Sequence, residues 1–202
     1  MPRSFRAAIA ALFVLGCADA REPVQAVRGA ELGAPLPRPS FTLTDTDGQP
    51  YAFAERTRGK LTLLFFGYTN CPDVCPVHAA NIAEIIKKLP WEERQKVQFV
   101  FVTTDPDRDT LPHLRKWLNQ FDTAFVGLRG PLAQVNEIQK GLNLGTMPLG
   151  EKKEDGSYDV GHASVVLAIE PDDSLRVMYP SGIRQQDWAE DIPLLLKRHA
   201  KR

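Results

Sequence analysis

Gly67-Tyr68-Thr69-Asn70-Cys71-Pro72-Asp73-Val74-Cys75-Pro76 sets two cysteines four positions apart directly behind a continuously apolar run, residues 61–66. The run is short and bounded by Gly59 and Gly67, the pattern of a strand buried on both faces. Behind the second cysteine, Ile82, Ile85, Ile86 and Leu89 recur at i, i+3, i+4 and i+7, which predicts an amphipathic helix over about 76–89. Pro76 suits the first helical position, with Cys75 as the cap. The pair therefore stands where a strand hands over to a helix N-terminus. There the helix dipole and unused backbone N–H groups favour thiolate over thiol. Thiolates in such a place exchange disulfides or bind a soft metal ion.

Outward from this unit the pattern alternates. A strand is expected over 97–103, a helix from about 110 to 121 carrying Leu114, Trp117, Leu118 and Phe121 on one face, a short strand over 124–126, and a helix from 131 to about 141 with Leu132, Val135 and Ile138. Upstream, residues 41–43 and 51–53 flank Asp45-Thr46-Asp47-Gly48-Gln49, which has the chemistry of a hairpin turn. Residues 142–161 read as a loop or irregular hairpin. Residues 163–169 and 175–179 then form an antiparallel pair around Pro171-Asp172-Asp173, and a terminal helix carries Trp188, Ile192, Leu195 and Leu196. Pro193 falls inside that helix and predicts a kink or break. Strands and helices that alternate first and end in a hairpin make an α/β sheet with an antiparallel portion.

The 202 residues suffice for one domain plus a leader. Basic and acidic residues balance at 25 each, so no charge excess points to nucleic acid. Arg3 and Arg6 precede an apolar segment over 7–15 and then Gly16-Cys17, the parts of an export signal, too short for a membrane-spanning helix. Val14-Leu15-Gly16-Cys17 resembles the lipobox of bacterial lipoproteins. On that reading residues 1–16 are a signal peptide, Cys17 is the lipidated first residue, 17–38 form a proline-containing tether and 39–202 the domain. A plain secretory signal or an uncleaved anchor is the other reading. Loss of Arg3 and Arg6 leaves 23 basic residues against 25 acidic, a charge near −2. Lipidation of Cys17 would leave Cys71 and Cys75 as the pair an exported protein must manage, as a disulfide, by a reductant or by a metal.

The cysteine string, together with Thr104-Asp105-Pro106-Asp107-Arg108-Asp109-Thr110 and Gly161-His162-Ala163-Ser164, resembles the Sco/SenC family of copper-binding assembly proteins over about residues 30–200. The order of elements fits a thioredoxin-like fold with an N-terminal β-hairpin extension, although three residues rather than two separate the cysteines. The resemblance implies a copper site, for Cu(I) and Cu(II), made by Cys71, Cys75 and His162. It also implies a role in assembling the dinuclear copper centre in subunit II of cytochrome c oxidase, by delivering copper or by reducing the receiving cysteines. The partners so implied are subunit II and another exported copper chaperone or thiol reductant, at the periplasmic side of the bacterial inner membrane, with the lipid anchor holding the protein there. Gly161 stands where many members carry an acidic residue. The competing reading is an exported thiol–disulfide oxidoreductase working through Cys71 and Cys75.

The residue chemistry agrees with a metal. Two thiolates and an imidazole make a soft three-ligand set suited to Cu(I), while zinc also accepts two sulfurs, a nitrogen and a water. A disulfide closing so short a loop would constrain the unfolded chain little. His78 reads as a solvated helix position, and His113 and His199 as exposed helical ones. Asp105, Asp107 and Asp109 suit turn formation and capping better than a hard cation. Asp73 holds the loop or sets its potential, and Met147 reads as packing. The sequence contains no serine–histidine–acid arrangement, phosphate-binding glycine loop or haem-attachment string.

Overall fold

The structure is a computed structural model that describes residues 26–146 and 163–198, and between them positions 150, 153, 158, 160 and 161. In chain order the described elements are β1 (Ala30–Pro37), β2 (Thr42–Asp45), β3 (Pro50–Ala52), α1 (Phe53–Arg56), β4 (Leu61–Gly67), α2 (Val74–Lys88) and α3 (Trp91–Arg94). They continue as β5 (Val97–Thr103), α4 (Leu111–Leu118), β6 (Val126–Arg129), α5 (Leu132–Gly141), β7 (Val165–Ile169), β8 (Ser174–Pro180) and α6 (Gln185–Lys197).

Every residue of β4 is buried, because the strand lies inside the sheet with a layer on each face. Successive side chains of a strand point to opposite faces. Leu61, Leu63 and Phe65 meet Ile82 and Ile86 of α2, Leu114 of α4 and Trp188 of α6, while Leu64 and Phe66 meet Phe53, Val135 of α5, Leu128 and Leu43. Fully burying such a side chain is worth about 1.5–3 kcal/mol, so this strand alone anchors both halves of the core. The eight strands run in the order β1-β8-β7-β4-β5-β6-β2-β3. Within that sheet β4, β5 and β6 are mutually parallel, β7 runs antiparallel beside β4, and β8 runs antiparallel beside β7. This is the expected thioredoxin-like order, and the β2–β3 hairpin extends the sheet beyond β6. Its turn uses Gly48 at φ +78° and the Asp45 carboxylate, which accepts the Asp47 and Gln49 amides.

Part of the stretch expected as a tether is a strand. Residues 30–37 form the edge strand β1, registered on β8 with Ala30 opposite Met178 and Pro37 opposite Ser174. Its side chains are mostly exposed, so hydrophobic periodicity carries no trace of a pairing made by the backbone. Arg38 secures its end. The buried guanidinium donates to Asp173 Oδ1, Thr57 Oγ1, Thr62 Oγ1 and the Lys60 and Glu170 carbonyls at 2.6–3.0 Å, using all of its donor directions. At the other end, fully buried Asp191 of α6 accepts the Arg28 and Gly29 amides at 2.8–3.0 Å and the Tyr179 hydroxyl at 2.9 Å.

Two boundary expectations are corrected. Strand β6 covers Val126–Arg129 rather than 124–126, since Ala124 stays outside the ladder and Val126–Leu128 pair with β5. Helix α6 runs through Pro193, so of the expected kink or break the break does not occur. Trp188, Ile192 and Leu195 are buried on one side of it and hold both of its halves against the core.

Candidate metal centre

Because β4 and β5 are parallel, the loops that follow them emerge at the same edge of the sheet, the carboxyl edge where open α/β sheets place ligands. Hydrogen bonds weld the two loops together. Thr104 donates its amide to the Gly67 carbonyl at 2.7 Å, and Asp109 accepts the Thr69 amide (3.0 Å), the Thr69 hydroxyl (2.5 Å) and the Thr103 hydroxyl (2.6 Å). Asp109 is fully buried, and its three donors come from β5 and the cysteine loop. The expected capping role falls instead to Thr110, whose hydroxyl accepts the His113 amide at the start of α4.

Cys71 and Cys75 are thiols at the head of α2. Cys71 donates its amide to the Tyr68 carbonyl at 3.2 Å and is 8% exposed, whereas Cys75 is fully buried. The two side chains hydrogen-bond each other, and the Tyr68 backbone N–H donates to the Cys75 sulfur. Gly67 makes the approach of that sulfur feasible: a Cβ on this residue would lie 2.7 Å from Cys75 Sγ, hemmed in by Phe65 and Phe101. Helix α2 begins at Val74 with Asp73 as its cap, so Cys75 lies inside the first turn and Pro76 one step further. Proline is tolerated there because the first turn's amides have no intrahelical acceptor. The Asp73 side chain is exposed and makes no capping bond.

Burial reverses the expected thiolate preference at Cys75. Desolvation pushes its thiol well above the ordinary value, the contact with Cys71 adds to the rise, and the Tyr68 N–H offsets only part of it. The metal-free Cys75 thiol is thus held protonated, and a bound cation must displace that proton to be ligated by its sulfur. The donors fit a soft ion: two sulfurs already in mutual contact beside a glycine that leaves them room.

The other candidates sort clearly. His78 is not solvated; it is 3% exposed, edge-on to Phe65 at 5.2 Å and to Trp188 at 6.4 Å, one turn behind the cysteines in the core. His113 is exposed on its helix as expected, yet its Nε2 lies 3.0 Å from Thr69 Oγ1. Since the Thr69 hydroxyl donates its proton to Asp109, the imidazole must donate at Nε2. Asp105 is fully buried and pairs with Arg108 and with the Tyr158 hydroxyl, the latter at 2.6 Å. Burial and that bond push the Tyr158 phenol up to about 12, so it stays a donor through the neutral range. Asp105 and Asp109 are spent on threonine, arginine and tyrosine partners, Asp107 is exposed, and among the described residues no group of three histidine, cysteine or acidic side chains gathers as a cation site. His162, Met147, His199 and Cys17 lie outside the described residues. Among those described, no helix is long and apolar enough to cross a membrane.

Sequence reasoning missed Gly67, Thr69, Asp109, Arg108 and Tyr158 as parts of this centre. Arg108 and Asp109 sit in a string singled out for its resemblance, but the partners that join them to other segments, Tyr158 and Thr69, are 50 and 40 residues away and leave no local spacing to read.

Residues 30–197 match the family model described as SCO1/SenC. A protein of Stutzerimonas stutzeri named as a putative copper-binding protein is 37% identical over 165 residues, covering 80% of this chain and 79% of that one. The structure of Bradyrhizobium japonicum ScoI with copper bound superposes with a TM-score of 0.69 at 28% identity, over 80% of this chain and all of that one. A SCO1/SenC family lipoprotein from Bacillus anthracis superposes with a TM-score of 0.63 at 28% identity, over 84% of this chain and 99% of that one. With the match running from β1 to the last residue of α6, this chain belongs to the SCO1/SenC family.

Proposed function

We propose that this protein binds copper through Cys71, Cys75 and His162 and serves assembly of the dinuclear copper centre in subunit II of cytochrome c oxidase. The observation that carries the reading is the thiol pair itself, two contacting sulfurs seated against Gly67 at the carboxyl edge of the sheet. Copper is the cargo. Cys71 and Cys75 supply soft donors and give up their protons on loading, and the imidazole of His162 completes a set of three that leaves the ion easier to pass on than a closed four-ligand site. Copper bound to a relative of the same fold, and the copper-binding name of another, support this choice over zinc. The same dithiol also serves the reducing version of this role, with Cys71, the more exposed sulfur, attacking a partner disulfide and Cys75 displacing the partner thiol to leave a disulfide here.

Titration of the reduced protein with Cu(I) and Cu(II) tests the ligand set. In His162→Ala the sulfur-to-copper charge-transfer band should persist while affinity falls and far-UV circular dichroism stays unchanged. Spectra and affinity identical to those of the wild type would remove His162 from the site and favour the oxidoreductase reading, which needs the sulfurs alone.

The location follows the N-terminal string: export, cleavage before Cys17, and a lipid anchor at the periplasmic surface of the inner membrane. A lipoprotein among the structural relatives supports it. Two or more acyl chains are enough for stable attachment. Mass spectrometry of the mature protein should find lipidated Cys17 at the N-terminus, and Cys17→Ser should abolish the modification. A mature N-terminus elsewhere would sink the anchor and leave the copper site standing.

A further inference from the structure

Arg108 stands at the meeting point of three segments. Its Nε bonds the Asp105 carboxylate, its Cζ lies 3.9 Å from the centroid of the Tyr158 ring, and its Nη1 donates to the Tyr158 carbonyl at 3.4 Å. The Tyr158 hydroxyl closes the circuit on the other oxygen of Asp105. The same guanidinium also lies 5.9 Å from the centroid of the Tyr68 ring. Tyr68 is the residue whose carbonyl accepts the Cys71 amide and whose amide donates to the Cys75 sulfur. Tyr158 is buried at 7% exposure, as is Val160.

We propose that Arg108 is a positioning residue that locks Tyr158, four residues ahead of His162, onto Tyr68 and so fixes the histidine-bearing segment against the cysteine loop. The physical basis is the planar cation. A guanidinium can lie over one ring, approach a second and still pair in its own plane with a carboxylate, which an ammonium cannot do. Asp105 is fully buried and holds that plane in place through the β5–α4 loop. The cysteine loop at Tyr68, the β5–α4 loop and the stretch at Tyr158 are thereby tied together at one guanidinium. The proposal rests on the reading of His162 as a copper ligand for its effect on the metal, but not for its effect on the segment.

The test uses the full reduced protein and two readouts. In the metal-free protein, amide hydrogen exchange of a peptide covering residues 158–164 should speed up in Arg108→Met and less in Arg108→Lys. Unchanged exchange in Arg108→Met overturns the proposal whatever His162 does. With Cu(II) loaded, Arg108→Met should release the ion to a chelator about 10- to 100-fold faster, the range found when the support of a metal ligand is removed. The charge-transfer band should remain. Arg108→Met combined with His162→Ala should release Cu(II) no faster than His162→Ala alone, because the arginine acts through the histidine. Multiplying effects, or wild-type release from Arg108→Met beside fast release from His162→Ala, would overturn the coupling. Wild-type release from His162→Ala would instead refute the ligand assignment and leave the exchange result to decide on Arg108. Should Arg108→Met fail to fold, Tyr158→Leu, which keeps the Asp105–Arg108 pair, must give the same two changes, and its failure to do so overturns the proposal.

Discussion

Cys75→Ser is expected to leave the protein unable to retain Cu(I) against a chelator that the wild type outcompetes, and to abolish the Cu(II) charge-transfer band. The substituted oxygen is hard, shorter in reach and bound to its proton at neutral pH, so it replaces a soft thiolate with a poor donor for either copper state. Position 75 is the more demanding of the two, because the residue is fully buried and its sulfur lies against Gly67. Putting a hydroxyl there costs about 1–3 kcal/mol if it finds no partner, but the Tyr68 N–H that met the sulfur is at hand to bond it. The fold should therefore survive while the metal is lost. Full copper stoichiometry with an intact charge-transfer band in folded Cys75→Ser protein would show that the site lies elsewhere.

Asp109→Ala should be among the most destabilising changes near the centre, lowering the free energy of unfolding by about 3 kcal/mol or more. The carboxylate satisfies an amide and two hydroxyls, all from buried threonines, and each donor left without an acceptor costs roughly 1–3 kcal/mol. A domain of ordinary stability has only about 5–15 kcal/mol in total, so the loss is a large share. Urea unfolding followed by circular dichroism measures it. The loop from Gly67 to Cys71 is tied to β5 through these bonds, so alkylation of the cysteines in the reduced, metal-free variant should also quicken. A change below about 1 kcal/mol with unaltered alkylation would mean that water or neighbouring groups replace the carboxylate.

The sequence was most legible where local periodicity and burial coincide. The run 61–66, followed by isoleucines at helical spacing, became β4 and α2, and the strand over 97–103 became β5 with the same limits. The turn chemistry of Asp45 to Gln49 carried the hairpin for the same reason: its bonds are made within five residues. What the sequence concealed is held by long-range partners. Strand β1 exists through backbone pairing to β8 and the bonds of Arg38 and Asp191, none of which leaves an apolar alternation. His78 sits in a pattern of helical polar positions, yet Trp188, far along the chain, covers it. At the centre, the cysteines announced themselves by spacing, but the protonation of Cys75 depends on how deeply the head of α2 is buried in the core, a tertiary quantity. The helix-terminus argument was sound locally and lost to desolvation.

The grip of Asp191 on Arg28 and Gly29 gives the N-terminus a defined load path. Gly29 lies so close to β8 that a Cβ would come within 2.4 Å of Val177 Cγ1, and the carboxylate that holds its amide belongs to α6 rather than to the sheet edge. Traction on the chain upstream of Val27 therefore reaches α6 and Tyr179 before it reaches the first rung of β1. An edge strand pulled from its end unzips one rung at a time, whereas bonds that share a load yield together. This fastening turns a peeling geometry into a shearing one, and the outermost strand is shielded from strain applied upstream of it.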